Sequence, residues 1–423
     1  MSTSLSVGHR SPLECSACQE EHSLLKRTFN AFRYPDFRLM WMGACVSTIG
    51  TWMQILAQSW LVYQLSKSSL YLGLDAFFGQ IPIFLLSLFG GVFADRKSRR
   101  GLLIASQVIQ MACAFVLATL VYTKVVQVWH IWCLSFTVGI AQSFGGPAYS
   151  ALIPTLVDKK DISNAIALNS IQFNVARVIG PMLGGVALAK VGATWCFGLN
   201  GISYIAVICT LLLIKPRFTP TKSDSSVIQS MKEGIDFIRA REGMVSLVVL
   251  AFLLTLLSYP LITFLPVMAS NVLHGNANTF TLLLCLSGLG SIVGALFVAS
   301  MKQQDQARKG LYVMVVLGFA ILGFGLTRRV PLSATFLCVA GAGMMIVLAS
   351  NLSVVQLRVD DRMRGRVMSV YNVAFRGGMP IGSLVCGYLI KQTSAPTIMI
   401  GNGILVIILA IYFIVFERKL VKL

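Results

Sequence analysis

The sequence predicts an all-α membrane protein: twelve transmembrane helices in two pseudo-symmetric six-helix bundles, with both termini cytoplasmic. Three observations carry that expectation. Of 423 residues, 56% are hydrophobic and 12% charged, with a mean hydropathy of +0.76, whereas an average soluble domain carries about 25% charge. The apolar residues come in unbroken runs and do not alternate at period two, which excludes both disorder and an outer-membrane barrel. Basic residues are lopsided: 27 of 35 fall on one side of the implied topology, six on the other (Lys67, Lys124, Lys190, Arg328, Arg329 and Lys391) and two inside spans. Lys and Arg near span ends stay in the cytoplasm, so the count orients the chain. The net charge of +19 therefore reflects topology; no basic run interleaves with aromatics, and no nucleic-acid partner is expected.

Crossing a hydrocarbon core of roughly 30 Å takes about 20 residues of helix, and each span is an apolar run of at least about that length. The first, near 38–64, carries a polar stripe, and the second, near 71–94, carries one aspartate. The third runs near 101–123 and the fourth, interrupted by Gly and Pro, near 129–152. Asp158, Lys159, Lys160 and Asp161 separate it from the fifth, near 165–189, which holds an arginine; the sixth lies near 193–214. The remaining spans fall near 245–270, 279–300, 310–327, 331–352, 367–390 and 395–416. This divides the chain into a mobile cytoplasmic tail (1–34), a first bundle (35–214), a cytoplasmic linker (215–244), and a second bundle with a short tail (245–423). In the linker Ile228, Met231, Ile235 and Ile238 recur at helical spacing, which reads as an interfacial helix acting as a tether. The N-terminal tail is too polar for a signal peptide. Its Cys15-x-x-Cys18 is half a zinc site, so no metal or other cofactor is expected.

The halves look duplicated. At an offset of 199, Ser170 matches Ser369, Arg177 matches Arg376 and Pro181 matches Pro380; at 202, Gly139 matches Gly341 and Val157-Asp158 matches Val359-Asp360. Repeated membrane halves place a substrate cavity between them near the midplane and alternate access by rocking.

Candidate residues follow from the cost of polarity in lipid. Arg177 and Arg376 lie near mid-span, where an arginine costs about 2.5 to 3.5 kcal/mol, so both should face the interior. They share one helical stripe with Asn174 and Asn372, respectively. They serve either as cationic sites for an anionic or carbonyl-rich solute or as partners for freed backbone carbonyls. Asp75 is the only acid inside any predicted span: a proton acceptor or cation contact, or else an interfacial residue pairing with Lys67 or water. Ser47, Thr51, Gln54 and Gln58, at helical spacing on the first span, either line the cavity or join helices by hydrogen bonds. Gln142, Tyr259 and Asn351 are weaker cases. Gly180, Pro181, Gly184 and Gly185 suit a bent, closely packed pivot in the fifth helix. Between spans two and three, Gly91, Asp95, Arg96, Arg99 and Arg100 form a candidate cytoplasmic latch, a carboxylate at a helix end that pairs in one conformation and releases in another.

That loop resembles the signature of the major facilitator superfamily over nearly the whole chain, with Ser98 where the family usually has glycine. The run Gly180-Pro181-Met182-Leu183-Gly184-Gly185 is similar to the fifth-helix motif of drug/proton antiporters. The stretch from Gly146-Pro147-Ala148-Tyr149 through Ala165 to Arg177 looks like the enterobactin-exporter-like branch, which includes macrolide efflux pumps. The resemblance implies a proton-coupled exporter of small amphipathic compounds, a drug or siderophore, acting as a monomer in the bacterial inner membrane. One departure is a fourth span without the arginine many such antiporters use for coupling. An importer, or a lipid or lysolipid flippase on the same fold, is the alternative. No Gly-Lys dipeptide occurs, so no Walker A loop is present, and no span carries an acid pair or His cluster that would indicate an enzyme.

Overall fold

The computed structural model describes residues 29–96, 98–214, 227–302 and 305–416. Each apolar run forms a helix, and local chemistry sets the ends. Helix α1 (Pro35–Ser66) starts on a proline, whose missing N–H suits a first turn, and stops at Lys67 in the left-handed region (φ 49°). After α2 (Ser69–Arg96), the Ser98 side chain accepts from the Gly101 N–H at 3.2 Å and caps α3 (Arg99–Tyr122). The serine in the glycine position of the signature thus has a structural use. Helices α4 (Val128–Leu152), α5 (Ile162–Lys190) and α6 (Ala193–Leu213) complete the first half. The linker helix α7 (Val227–Ala240) leads to α8 (Met244–Ser258). Then come α9 (Ala277–Ser300), α10 (Gln306–Leu326), α11 (Val330–Arg358), α12 (Asp361–Gln392) and α13 (Ala395–Val415).

Eleven helical stretches among the described residues are long and apolar enough to cross a membrane. Helix α4 is not one of them although it has 25 residues, because His130, Ser135, Thr137, Gln142 and Ser143 dilute its apolar run. The run expected as one span near 245–270 is broken. Pro260 and Pro266 each lack a backbone donor; the chain stays helical through Thr263, leaves regular helix at Phe264 (φ −98°, ψ 13°), and continues as the short turn Leu265–Val267 and the π-turn Met268–Val272.

The two halves repeat one packing scheme. Helix α1 packs on α5 and α6, α2 on α4, and α3 on α4 and α6; correspondingly, α8 packs on α12 and α13, α9 on α11, and α10 on α11 and α13. The repeated glycines show why. A Cβ on Gly139 of α4 would stand 2.6 Å from the Gly79 carbonyl of α2, and one on Gly341 of α11 would collide with the Ser287 carbonyl of α9. Only glycine allows these two backbones to touch. Gly341→Val is therefore expected to lower stability by about 1–3 kcal/mol, whereas Gly401→Ala, facing open space in α13, should leave the unfolding temperature unchanged or raise it slightly.

The halves meet where α2 lies along α12 and α5 along α9. Ser69 Oγ donates to the Gly387 carbonyl at 3.1 Å, Tyr63 OH donates to Asn271 Oδ1 at 2.5 Å, and Trp60 stacks on Phe280 with centroids 5.9 Å apart. These contacts lie toward the end that carries Lys67 and Lys391. Toward the other end, where the basic loops lie, Gly91 of α2 and Gly365 of α12 face open space. The bundles are thus tight at one end and loose at the other. Large apolar side chains such as Leu296 (67% exposed) and Leu213 (65%) stand on the outer surface, as a lipid-facing wall requires.

At the loose end, ion pairs fix the start of each half. Asn30–Arg33 form a 3-10 turn; Arg33 pairs with Asp161 at 2.6 Å, Asn30 and Tyr34 donate to the same carboxylate, and Tyr34 also donates to Asp158. Docked chain therefore begins inside the segment expected as a mobile tail, because three polar side chains meet one acidic loop. In the second half Arg241 pairs with Asp360 at 2.7 Å, so both aspartates of the repeated Val-Asp anchor an arginine. The linker helix rests on α12 through Gly234 and a Glu233–Arg366 ion pair. Cys15, Cys18 and the linker up to 226 lie outside the described residues.

Candidate functional site

Arg177 of α5 and Arg376 of α12 come from repeat-related positions in different halves, and the Tyr259 phenol lies near both. Tyr259 keeps helical dihedrals (φ −63°, ψ −36°) immediately before Pro260, with Gln80 of α2 beside its hydroxyl. The Arg177 guanidinium lies 5.6 Å from the Trp52 ring centroid, a cation–π contact. Gly180 permits it: a Cβ there would stand 2.5 Å from Trp52 Cβ and 2.7 Å from the Ile49 carbonyl. Among the described residues, neither arginine pairs with a carboxylate. Two arginines from different halves thus lie near one phenol, and among the described residues no carboxylate forms an ion pair with either.

On the same stripes, one turn nearer the loose end, Asn174 donates to the Ser170 carbonyl of its own helix and Asn372 is exposed. Gly184 packs on Met53 of α1, Gly185 on Thr281 of α9, and Pro181 is buried. The fifth-helix motif therefore brings α5 close to its own bundle and to the other one.

Asp75 is 8% exposed. Its carboxylate accepts from Ser135 Oγ at 2.6 Å and from Gln58 Nε2 at 3.0 and 3.2 Å. The expected alternative partner, Lys67, instead donates to Gln64 Oε1, because the helix ends at Lys67 and directs it to its own last turn. Hydroxyl and amide donors surround this carboxylate, and no cation reaches it in any ion pair among the described residues.

The polar stripe of α1 joins helices. Asn200 of α6 donates to Gln54 at 2.6 Å, Gln58 donates to Ser135 of α4 at 2.9 Å, and Thr51 lies 3.3 Å from the Tyr204 hydroxyl. Tyr204 and Gln142 both donate to Gln110 of α3, and Ser47 is buried. Of the two readings of this stripe, the geometry favours interhelical bonding, because buried polar groups in an apolar bundle need partners. The result is one network linking five helices and ending at Asp75. Asn351 likewise joins α11 to the Leu247 carbonyl and the Tyr371 hydroxyl.

In the signature loop, Arg99 donates to the Ala151 carbonyl at 2.9 Å and Arg100 to the Leu212 carbonyl at 2.6 Å, so each cation meets the negative C-terminal end of a neighbouring helix. Gly91 faces open space, and the side chains of Asp95 and Arg96 lie outside the described part of the structure.

Comparison with known proteins agrees with this architecture. A major facilitator family model described as "Transmembrane secretion effector" matches residues 26–422. The staphyloferrin A transporter of Staphylococcus aureus is 26% identical over 379 residues, covering 88% of this chain and 94% of that protein. The enterobactin exporter EntS of Escherichia coli is 24% identical over 394 residues, covering 91% and 93%. Among solved structures, a bacterial homologue of the human lysosomal transporter Spinster, inward-facing and occupied, superposes with a TM-score of 0.70 at 15% identity, covering 91% and 97%. The nucleoside transporter NupG superposes at 0.70 and 13%, covering 90% and 99%. At such identities these two structures speak for the fold alone.

Proposed function

This chain belongs to the transmembrane secretion effector family of major facilitators, a family of multi-pass membrane transporters and not of enzymes, and from that premise we propose that it exports siderophores and other small amphipathic compounds from the bacterial cytoplasm. The observation that carries the reading for anionic cargo is the approach of Arg177 and Arg376, one from each half, to Tyr259. An anion that binds both arginines supplies the charge the protein lacks there, and release follows when the halves rock apart. Export is supported by the name of the enterobactin exporter relatives, and siderophores as cargo by those and the staphyloferrin A transporter. The distribution of basic loops supports cytoplasmic termini, with α4 as the twelfth span in the inner membrane. In that orientation the loose end faces the cytoplasm. Asp75 is the proton carrier: a carboxylate buried among neutral donors is costly to ionise, so its protonation is tied to which side water reaches it. The working unit is a monomer.

The test is accumulation of a catecholate siderophore and of a fluorescent amphipathic cation in cells stripped of their own pumps, with and without this protein. Expression should lower retained siderophore at least threefold, and a protonophore should restore it. A rise in accumulation on expression would make the protein an importer and refute the reading.

A further inference from the structure

The tight end of the molecule holds a cavity of about 640 Å³ whose lining includes Lys67, Arg328, Lys391 and His274, with Tyr63 and Asn271 at its base. We propose that this cavity is a second anion site, built for a multiply charged carboxylate or phosphate that bridges the two bundles while they are closed at this end. Charge placement is the first argument. Only six Lys and Arg belong to this side of the molecule, and three of them meet in one cavity whose lining contains no Asp or Glu. Basic residues are disfavoured at the end of a membrane protein away from the cytoplasm, so their gathering in one place calls for a bound negative charge.

The cations also come from both halves. Lys67 follows α1 of the first, whereas Arg328 follows α10 and Lys391 lies in the last turn of α12. At the base, the Tyr63–Asn271 hydrogen bond crosses between the halves at 2.5 Å. Opening this end breaks that bond and carries Lys67 away from the other two. An anion held by all three therefore binds the closed form better, and by linkage it favours closure. A solute anion that has accumulated outside would then slow its own further export. That last consequence rests on the export reading; the site does not.

The test uses full-length protein in phosphatidylcholine nanodiscs and equilibrium dialysis with radiolabelled citrate, repeated with inorganic phosphate. Saturable binding is expected, at least tenfold weaker in K67Q/R328Q/K391Q and at least threefold weaker in each single variant, because one ligand engages all three. The single variants keep the test valid should the triple variant misfold. In R177Q/R376Q this binding should persist, which separates the proposal from the central site. Replacing a quarter of the lipid with phosphatidylglycerol distinguishes the sources of the anion: weakened citrate binding identifies a lipid headgroup as occupant, unchanged binding a soluble one. No saturable binding of either probe, or equal affinity in wild type and the triple variant, would overturn the proposal.

Discussion

Replacing Asp75 with Asn should abolish the dependence of export on the proton gradient, with at least a tenfold loss of concentrative transport, while downhill movement of the same solute stays within about threefold of wild type. The carboxylate is closed in by Ser135 Oγ and Gln58 Nε2, at 2.6 and 3.0 Å, and has no cationic partner among the described residues. An ionised carboxylate so placed costs several kcal/mol, and a neutral one does not, so the proton and the conformation are coupled. Asparagine keeps the shape and one acceptor oxygen but cannot exchange a proton. The variant should fold normally, since it removes a buried charge. Substrate accumulation in inside-out vesicles, with and without a protonophore, checks this; D75N transport that stays protonophore-sensitive would place coupling on another residue. Ser135→Ala should give a partial effect, because the amide of Gln58 still holds the carboxylate.

The second large effect belongs to the arginine pair. Arg177→Gln and Arg376→Gln should each reduce the initial rate of siderophore export about tenfold, and the double variant about a hundredfold. Hydrogen bonds to a charged group contribute about 1.5–3 kcal/mol, and each 1.4 kcal/mol is a factor of ten. Lysine should not rescue, because a point charge lacks the planar fork that grips a carboxylate or phosphate at two atoms. Tyr259→Phe, which keeps the ring ahead of Pro260 and removes the hydroxyl, should fall between wild type and the single arginine variants. A fluorescent amphipathic cation provides the control: its transport should change less than threefold. Equal losses for cation and anion would mean that the arginines hold the helices together and do not select the solute.

Much of this was legible in the residues because lipid enforces simple rules. Apolar runs become helices wherever backbone polar groups have no water, and the expected spans fall within a few residues of α1, α2, α3 and α6. Duplication was visible in Gly139 and Gly341, whose shared purpose is a close approach between the second and fourth helices of each half. The seventh span is a different case. Its hydropathy hides two prolines, and Tyr259, the residue just before the first of them, lies near both arginines. The Tyr-Pro pair inside an apolar run was the available signal. The stripe on α1 was misleading for the opposite reason. Spacing shows that Thr51, Gln54 and Gln58 share a face, but which neighbour that face meets depends on tertiary packing, and Asn200, Ser135 and Tyr204 were invisible as its partners. The one carboxamide of α6, Asn200, was the available signal that this helix meets a polar partner.

The most direct test of proton-coupled export through the arginine pair is made on purified protein in inside-out proteoliposomes with an acidic interior, recording siderophore uptake and internal pH together. The account predicts that adding siderophore to the outside drives its accumulation and raises the internal pH in the same experiment. In D75N the pH rise and any accumulation above the outside concentration should be lost while downhill entry remains, and in R177Q/R376Q both signals should fall about a hundredfold. Accumulation that leaves the pH gradient untouched, or that persists in both variants, would contradict it.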